Sequence, residues 1–227
     1  MGQVDDYAEL AEEIRECTKC GLCATRHLVV VDRGDPTAEL VFIGESPGAS
    51  EDATGQAFVG RAGAELDAYL AEAGVDKFLI INVLKCRPPN NKFPGDQDSY
   101  HPAEVVNECL PWLDKQLGVL KPKAIILVGG KAACYTIYRG RDMPRVGDIV
   151  GKRMRSDDYP DVEIFSIYHT AYLLRLKNMR RDEYDRIRAE TIETLRSAQK
   201  VVDGISPGGS PTHVSRQIDK GEQLNFF

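Results

Sequence analysis

The chain has 227 residues, of which 42% are hydrophobic, and its 29 basic and 35 acidic residues give a net charge of −6. This length and composition predict one folded domain with a tail, and they exclude a wholly disordered or collagen-like chain. Because no uncharged apolar run approaches ~18 residues and the N-terminal residues are acidic, we expect neither a membrane span nor a secretory signal, and therefore a cytoplasmic protein. The net acidity argues mildly against nucleic-acid binding, for which basic surfaces are typical.

Apolar runs and helical periodicities alternate along the chain. In chain order, they predict a helix at 5–16, a strand at 40–43, a helix at 62–74, a strand at 78–84, a helix from Pro102 to about 117, a strand at 124–128, a short helix at 130–138, a strand at 162–168 and a helix at 182–200. This alternation is typical of a three-layer α/β/α fold, so we expect a central, mostly parallel four-stranded sheet. Ligands bind beyond the carboxyl ends of such strands, so the segments that follow the four strands should form one active face.

Four of the six cysteines have positions that suit a metal site. Cys17 and Cys20 are separated by two residues, a spacing that lets two thiolates share one metal ion or cluster. Cys86 follows a predicted strand, and Cys109 lies in a predicted helix. Four thiolates suit zinc or an iron–sulfur cluster, and the wide separation of Cys86 from Cys109 favours the cluster, since zinc knuckles usually have two close pairs. Cys134 lies on an apolar helix, where a buried structural thiol is expected.

Five motifs occur between about residues 15 and 200. They are Cys17-Thr-Lys-Cys20, Val41-Phe-Ile-Gly-Glu-Ser-Pro-Gly48, Gly55-Gln-Ala-Phe-Val-Gly-Arg-Ala-Gly63, Asn82-Val-Leu-Lys-Cys-Arg-Pro-Pro89 and His169-Thr-Ala-Tyr-Leu-Leu-Arg175. In this order, and with both distant cysteines, they resemble the motifs of the family-4 uracil-DNA glycosylases.

The resemblance implies an iron–sulfur enzyme of bacteria and archaea with a parallel sheet flanked by helices. Such an enzyme flips uracil out of DNA and hydrolyses its N-glycosidic bond, which leaves an abasic site for base excision repair. Uracil-containing DNA is then the partner, and a [4Fe-4S] cluster is the cofactor. The matching positions imply that its ligands are Cys17, Cys20, Cys86 and Cys109. We expect a monomer, and a monofunctional enzyme because no lysine is evidently placed as a Schiff-base nucleophile.

The resemblance also implies roles in a uracil site. Phe58 matches the aromatic residue that stacks on uracil, Asn82 the amide that reads the edge of the base, and His169 the histidine near the uracil O2. An amide offers both a donor and an acceptor, so a fixed amide distinguishes uracil from cytosine. Glu45 and Glu51 match acidic residues of the family's first catalytic motif. Together with His169, they are the predicted catalytic groups.

The motif at residues 41–48 departs from the family at Ser46, where Ala or Gly is usual. We expect Ser46 and the nearby Gly44 to contact the substrate. Serine is a poor general base, so Glu45, Glu51 or the backbone is left as the group that activates water. Thr170 replaces the Pro that commonly follows the histidine. These departures keep open a superfamily member that binds or captures uracil-DNA with little turnover, and the cysteines keep open an iron–sulfur electron carrier.

Three basic segments answer the objection that the net acidity raises. Residues 85–92, 131–155 and 169–181 carry net charges of +3, +5 and +4, so we expect a basic face that contacts DNA phosphates. The predicted contacts are Arg87, Lys131, Arg175 and Lys177. The candidates for a wedge that fills the space left by the flipped base are Leu173, Leu174 and Leu176.

The composition changes at Gly204. We expect a catalytic domain over 1–203 and a flexible tail over 204–227, because 204–211 is rich in Gly, Ser and Pro. The tail ends in Gln223-Leu-Asn-Phe-Phe227, which resembles a shortened sliding-clamp-binding peptide, so the DNA sliding clamp is a further predicted partner.

Overall fold

The computed structural model describes residues 2–141 and 143–215. Its helices are α1 (Gln3–Arg15), α2 (Ala49–Thr54), α3 (Arg61–Ala73), α4 (Val105–Leu120), α5 (Gly130–Thr136), α6 (Val146–Ile149), α7 (Thr170–Met179) and α8 (Arg181–Val202). Its strands are β1 (Arg33–Gly34), β2 (Leu40–Gly44), β3 (Leu79–Asn82), β4 (Ala124–Val128), β5 (Arg153–Ser156), β6 (Tyr159–Ile167) and β7 (Thr212–Val214).

The strands form one sheet with the order β1-β3-β2-β4-β6-β5-β7. The central strands β3, β2, β4 and β6 are the four that the sequence predicts, and they run parallel. The α/β class and the mostly parallel sheet are therefore confirmed, whereas the expected number of four strands is wrong. The three additional strands lie towards the sheet edges, where β1 pairs antiparallel with β3 and β5 pairs antiparallel with β6. They are short and polar, as edge strands often are, and lack the apolar run that marks a buried strand.

The edge strand β7 lies within the predicted flexible tail. It pairs in parallel with β5, and the Arg153 guanidinium donates to the carbonyls of Gly208 and Gly209 at 3.2 and 3.0 Å. The chain therefore continues along the sheet edge beyond residue 203, as far as Val214. The composition of residues 204–211 does not predict this pairing, because it contains no information about a free strand edge elsewhere in the fold. The clamp-like peptide lies outside the described residues.

Helices cover both faces of the sheet, so the central strands are buried on both sides. Alternate residues of β2 point to opposite faces, with Val41 and Ile43 in one core and Leu40 and Phe42 in the other. The first core includes residues of α1, α4 and α5, and the second includes residues of α3, α7 and α8. The three predicted layers are present, and the loops at the carboxyl ends of the strands are left to form a binding site.

The residues after His169 form the helix α7, which was not among the predicted elements. Leu173 and Leu176 lie one turn apart on this helix, and both are buried in the core. They are therefore unavailable as a wedge, which leaves the half-buried Leu174. No helix in the described ranges combines the length and the apolarity needed to cross a bilayer.

Candidate active site

A cavity of about 480 Å³ opens at the carboxyl ends of β2, β3 and β6. Seven predicted site residues line it: Glu45, Ser46, Glu51, Phe58, Asn82, His169 and Arg175. Asn91 and Tyr172 also line the cavity and were not predicted. The segment that follows β4 lies behind His169, since a Cβ atom on Gly129 would be 3.0 Å from the His169 Cβ. Three of the four expected segments thus meet at one face.

Asn82 ends β3, and its amide lies at the cavity wall. The residue is 1% exposed, and neither Oδ1 nor Nδ2 has a hydrogen-bond partner among the described residues. A buried amide without partners costs free energy, so such groups are normally completed by a ligand or by water. The unpaired donor and acceptor of Asn82 therefore indicate a polar ligand in the cavity.

Gly44, the last residue of β2, allows two groups of the site to approach each other. A Cβ atom at this position would lie 2.3 Å from Asn82 Oδ1 and 2.4 Å from Phe58 Cε2. Both distances are far shorter than a normal contact, so any side chain would displace the amide or the ring. Gly44 therefore contributes to the site through its lack of a side chain, which leaves room for the Asn82 amide and the Phe58 ring.

The backbone of Phe58 is held in a left-handed conformation, with φ 54°. This costs on the order of 1–3 kcal/mol for a residue other than glycine, so the surroundings must impose it. Helix α3 packs tightly here, because a Cβ atom on Gly63 would be 1.7 Å from the Phe58 carbonyl oxygen. The ring centroid lies 5.7 Å from that of His169, with 30° between the planes. Phe58 is thus fixed as a flat wall on which a planar ligand can stack.

The Glu51 carboxylate braces two loops around the cavity. Its Oε1 accepts the N–H groups of Val59 at 2.9 Å and Gly60 at 2.7 Å, and its Oε2 accepts the N–H of Gly48 at 3.0 Å. Three backbone donors thus occupy a carboxylate that the sequence predicts to be catalytic. This geometry favours a role in holding the loop that carries Phe58.

His169 caps the N-terminus of α7, and this contact fixes its tautomer. Nδ1 accepts the N–H of Ala171 at 3.2 Å, so the proton of the neutral ring is on Nε2. Burial, together with the nearby Arg175, lowers the pKa of His169 to about 4. The ring is therefore neutral at physiological pH and offers an N–H donor to the cavity. The adjacent Thr170 hydroxyl donates to the Ala62 carbonyl at 2.7 Å and attaches α7 to α3.

Glu45 is the acid whose surroundings best suit proton transfer. Burial raises the pKa of Glu45 to about 7, with a lowering contribution from Lys131 and a raising one from Asp96. Its carboxylate accepts no hydrogen bond from the described residues, in contrast to that of Glu51. Near neutral pH it therefore exchanges readily between its two forms, as a general base requires. Ser46 lines the same wall, but its hydroxyl does not ionise in this range.

The predicted ligand cysteines come together on the face of the sheet that carries α1 and α4. They lie against one core and within electrostatic range of one another: Cys17, Cys20, Cys86 and Cys109. In the ranges that the structure describes, no three His, Cys, Asp or Glu side chains are close enough to hold one metal ion. Four thiolates suit either one zinc ion or an iron–sulfur cluster. A [4Fe-4S] cluster spreads its thiolates over several irons.

Hydrogen-bond donors that the sequence did not reveal surround these sulfurs. Trp112 Nε1 donates to Cys17 Sγ at 3.2 Å, and the Arg26 guanidinium donates to Cys86 Sγ at 3.2 Å. Such donors stabilise thiolate charge at an iron–sulfur cluster. The sequence does offer one indication for Trp112. This residue lies one turn after Cys109 on α4, so the two side chains share a face of the helix.

Two of the four predicted phosphate contacts lie at the cavity. Arg175 lines it, and its guanidinium carbon lies 5.8 Å from the centre of the Tyr172 ring. Arg87 donates to Asn91 Oδ1 at 2.7 Å, and Asn91 is part of the lining. Both guanidinium groups can therefore reach a phosphate near the cavity entrance.

The other two predicted contacts are engaged by acids. Lys177 Nζ lies 3.6 Å from Glu65 Oε2. Lys177 lies on the side of α7 opposite Arg175, because side chains two positions apart in an α-helix point in directions that differ by about 200°. Lys131 forms an ion pair with Asp96 at 2.5 Å. The structure therefore brings Arg175, but not Lys177, to the cavity.

The basic face is also smaller than the three basic segments predict. Lys85 is 1% exposed and cannot reach a phosphate. Arg153 and Arg155 both donate to the Glu163 carboxylate in the middle of β6, beside the first residue of β4 and away from the cavity. Charge summed along a segment overlooks acids that the fold brings in from elsewhere.

Comparison with known proteins agrees with this site. The family model of the uracil DNA glycosylase superfamily matches residues 31–193. The chain is 38% identical over 179 residues to the type-4 uracil-DNA glycosylase of Pyrobaculum aerophilum, which covers 77% of this chain and 88% of that protein. It is 34% identical over 199 residues to the type-4 uracil-DNA glycosylase of Thermotoga maritima, with 83% and 92% covered. The protein of that name from Saccharolobus solfataricus is 30% identical over 230 residues, with 98% of both chains covered. These matches confirm the family that the five motifs predict, and the chain belongs to the uracil DNA glycosylase superfamily.

Proposed function

We propose that this protein is a monofunctional type-4 uracil-DNA glycosylase, which removes uracil from DNA and leaves an abasic site. The observation that carries the proposal is the unpaired Asn82 amide, in a cavity that it shares with Phe58 and His169. Relatives named type-4 uracil-DNA glycosylase, alignable over most of the chain, support it.

Uracil matches the groups that line the cavity. While the base stacks on Phe58, the Asn82 amide accepts the uracil N3–H and donates to O4. Cytosine presents an acceptor at N3 and an amino group at C4, so the same amide would meet like groups on both atoms. The buried groups left unpaired in that case make the discrimination steep.

Departure of uracil places negative charge on the base and positive charge on the sugar. His169 donates from Nε2 to the uracil O2 and stabilises the leaving anion. Glu45, when ionised, positions the attacking water or stabilises the sugar cation. Glu51 acts indirectly by holding the Phe58 loop. No lysine is among the described residues that line the cavity, which supports hydrolysis without a Schiff base.

We also infer that Cys17, Cys20, Cys86 and Cys109 hold a [4Fe-4S] cluster. The donors from Trp112 and Arg26 fit thiolates better than buried neutral thiols. When bound, the cluster cross-links the segment after α1, the loop after β3 and helix α4. It thereby stabilises the end of β3 that carries the Asn82 amide.

Uracil-containing DNA is the proposed partner. Arg87 and Arg175 are placed to contact its phosphates, and Lys131 can do so by exchanging Asp96 for a phosphate. Binding to a sliding clamp, a monomeric state and a cytoplasmic location stay predictions from the sequence.

The test uses a single-stranded oligonucleotide with one uracil, and a cytosine strand as control. After incubation with the cluster-loaded protein, we expect a strand break at uracil only when the product is heated in alkali. The Asn82→Ala variant should lose at least about 100-fold in single-turnover rate, since two hydrogen bonds to the base are lost. Its melting temperature should not fall, because the amide has no partner in the protein.

Uracil DNA that stays intact with the wild-type protein would overturn the proposal. Breaks that stop at one per protein molecule would instead favour the alternative that binds or captures uracil-DNA without turnover.

A further inference from the structure

Lys85 is a lysine in the protein core. It is 1% exposed, lies three residues after Asn82 and immediately precedes Cys86. A lysine buried to this extent is rare, because its charge must be compensated inside the protein. The steps proposed for uracil removal do not use it.

Three polar groups of Lys85 join separate parts of the chain. Its Nζ donates to the main-chain carbonyl of Asn82 at 2.5 Å. Its backbone N–H lies near the sulfur of Cys109 on α4 and favours a thiolate there, and its carbonyl accepts the N–H of Val30 at 2.8 Å. The residue therefore connects the end of β3 with a predicted cluster ligand and with the segment that leads into β1.

Burial disfavours the charged form of Lys85, and the groups that oppose this effect are ones that can carry negative charge. Asp32 and the sulfurs of Cys86 and Cys109 are the groups whose charge favours that of Lys85. Asp32 also accepts the Tyr7 hydroxyl at 2.8 Å. One carboxylate and the thiolates of a bound cluster together supply the counter-charge that a buried ammonium needs.

We propose that Lys85 is a positioning residue that links the cluster to the uracil site: its charge balances the thiolates of Cys86 and Cys109, and its hydrogen bond fixes the Asn82 peptide so that the amide faces the cavity. The proposal rests on the proposed function and on the assignment of the cysteines as cluster ligands. It predicts two separable effects, one from the charge and one from the hydrogen bond.

Two neutral substitutions separate these effects. Lys85→Gln removes the charge but keeps a donor for the Asn82 carbonyl, whereas Lys85→Met removes both. The matched control is Gln116→Leu. Gln116 is fully buried and donates to the Tyr7 hydroxyl at 3.0 Å, in the same network but with no bond to Asn82 or to a cysteine. It shows how each measurement responds to a general loss of stability.

The first measurement is the rate at which iron is released to a chelator from the loaded protein. We expect both Lys85 variants to release iron several-fold faster than the wild type, because each lacks the charge that balances the thiolates. The second is the affinity for free uracil, measured by titration calorimetry. We expect Lys85→Met to bind uracil about tenfold more weakly, and Lys85→Gln to bind within about twofold of the wild type.

The two Lys85 variants should thus behave alike in iron release but differ in uracil affinity. A general loss of stability would instead affect both measurements in the same order. If Lys85→Gln weakened uracil binding as much as Lys85→Met does, in parallel with its faster iron release, the proposal would be overturned. Unchanged uracil affinity in a folded Lys85→Met protein would also overturn it. If that variant does not fold, Lys85→Gln decides the matter, because iron release at the wild-type rate contradicts the charge balance and weakened uracil binding contradicts the hydrogen bond. Failure of the proposed function is seen separately, as an intact uracil strand with the wild-type protein.

Discussion

The Nδ1 atom of His169 accepts the backbone N–H of Ala171 at 3.2 Å, and this bond assigns the ring proton to Nε2. The first turn of α7 therefore sets both the position of the imidazole and the atom that donates. Because the pKa of His169 is lowered to about 4, this donor is unchanged from pH 5 upward. The pH dependence of the reaction near neutrality should then report on Glu45.

Glu45 should make the excision rate depend on pH. Burial raises the pKa of its carboxyl to about 7, so the ionised form that acts on water is lost below that pH. We expect the single-turnover rate to fall about tenfold per pH unit below 7 and to level off above it. Rates between pH 5 and 9 test this, and Glu45→Gln should be slower and independent of pH. A wild-type rate that is flat through pH 7 would contradict the role of Glu45.

The same raised pKa predicts that Glu45 lowers stability at alkaline pH. Its ordinary pKa is 4.5 and its folded value is about 7, so the folded protein binds the proton more tightly than the unfolded chain. Stability is then full below pH 4.5 and is lost as the pH rises through 7. At pH 8, Glu45→Gln should exceed the wild type by on the order of 1–3 kcal/mol in the free energy of unfolding. Denaturant titrations at pH 4.5 and 8 measure it, and an equal gain at both would argue against it.

Gly44→Ala should remove uracil binding while the sheet remains intact. The new methyl group would lie 2.3 Å from Asn82 Oδ1 and 2.4 Å from Phe58 Cε2, so the amide or the ring must move. We expect excision to fall by at least about 100-fold, with a loss of stability of about 1–3 kcal/mol from overpacking. Gly118→Ala, a helical glycine with no atom within 4 Å of the added carbon, is the matched control. Normal excision by Gly44→Ala would show that the two groups need not be so close.

Glu51→Ala should act through the loops and not through proton transfer. The substitution leaves three N–H groups without their acceptor and releases the loop that holds Phe58. We expect a loss of about 2–4 kcal/mol in stability and a raised KM. The pH profile should keep the wild-type midpoint near 7, because Glu45 is still present. A profile that becomes independent of pH would instead make Glu51 the general base.

Arg175 and Lys177 should differ in their effect on DNA binding. Arg175 lines the cavity, whereas Lys177 is held by Glu65 on the other side of α7. We expect Arg175→Ala to reduce the slope of log affinity against log salt by about 1, and Lys177→Ala to leave it unchanged. Fluorescence titrations of a uracil-containing strand at several salt concentrations distinguish the two. Equal changes in slope would place both residues on the DNA.

The central strands and the site residues follow from the sequence because both depend on local patterns. A fully buried strand needs a continuous apolar run, and the motifs that end β2 and β3 contain Gly44 and Asn82, which pair across these neighbouring strands, with Glu45 next in the chain. Edge strands carry no such pattern, and β7 is defined only by the open edge of β5. The fold class and the cavity residues were therefore predictable, whereas the sheet edges were not.

Roles that depend on distant partners were less predictable. Glu45 and Glu51 look alike in the sequence, and only the fold shows that three N–H groups bond the Glu51 carboxylate while no described residue donates to the Glu45 carboxylate. Lys85 counts as a basic residue in any charge sum, yet it lies in the core beside Asp32. The sequence identifies the chemical type of a side chain, but its environment comes from elements far away in the chain.

The pairing of β7 with β5 also bears on self-association. Without β7, one side of β5 would present unpaired N–H and C=O groups, and such an edge readily pairs with a strand of another molecule. Residues 204–214 therefore occupy the side of β5 that would otherwise be free to pair with another strand. A chain cut at residue 203 should retain its cavity but associate with its own copies in solution more readily than the full chain does.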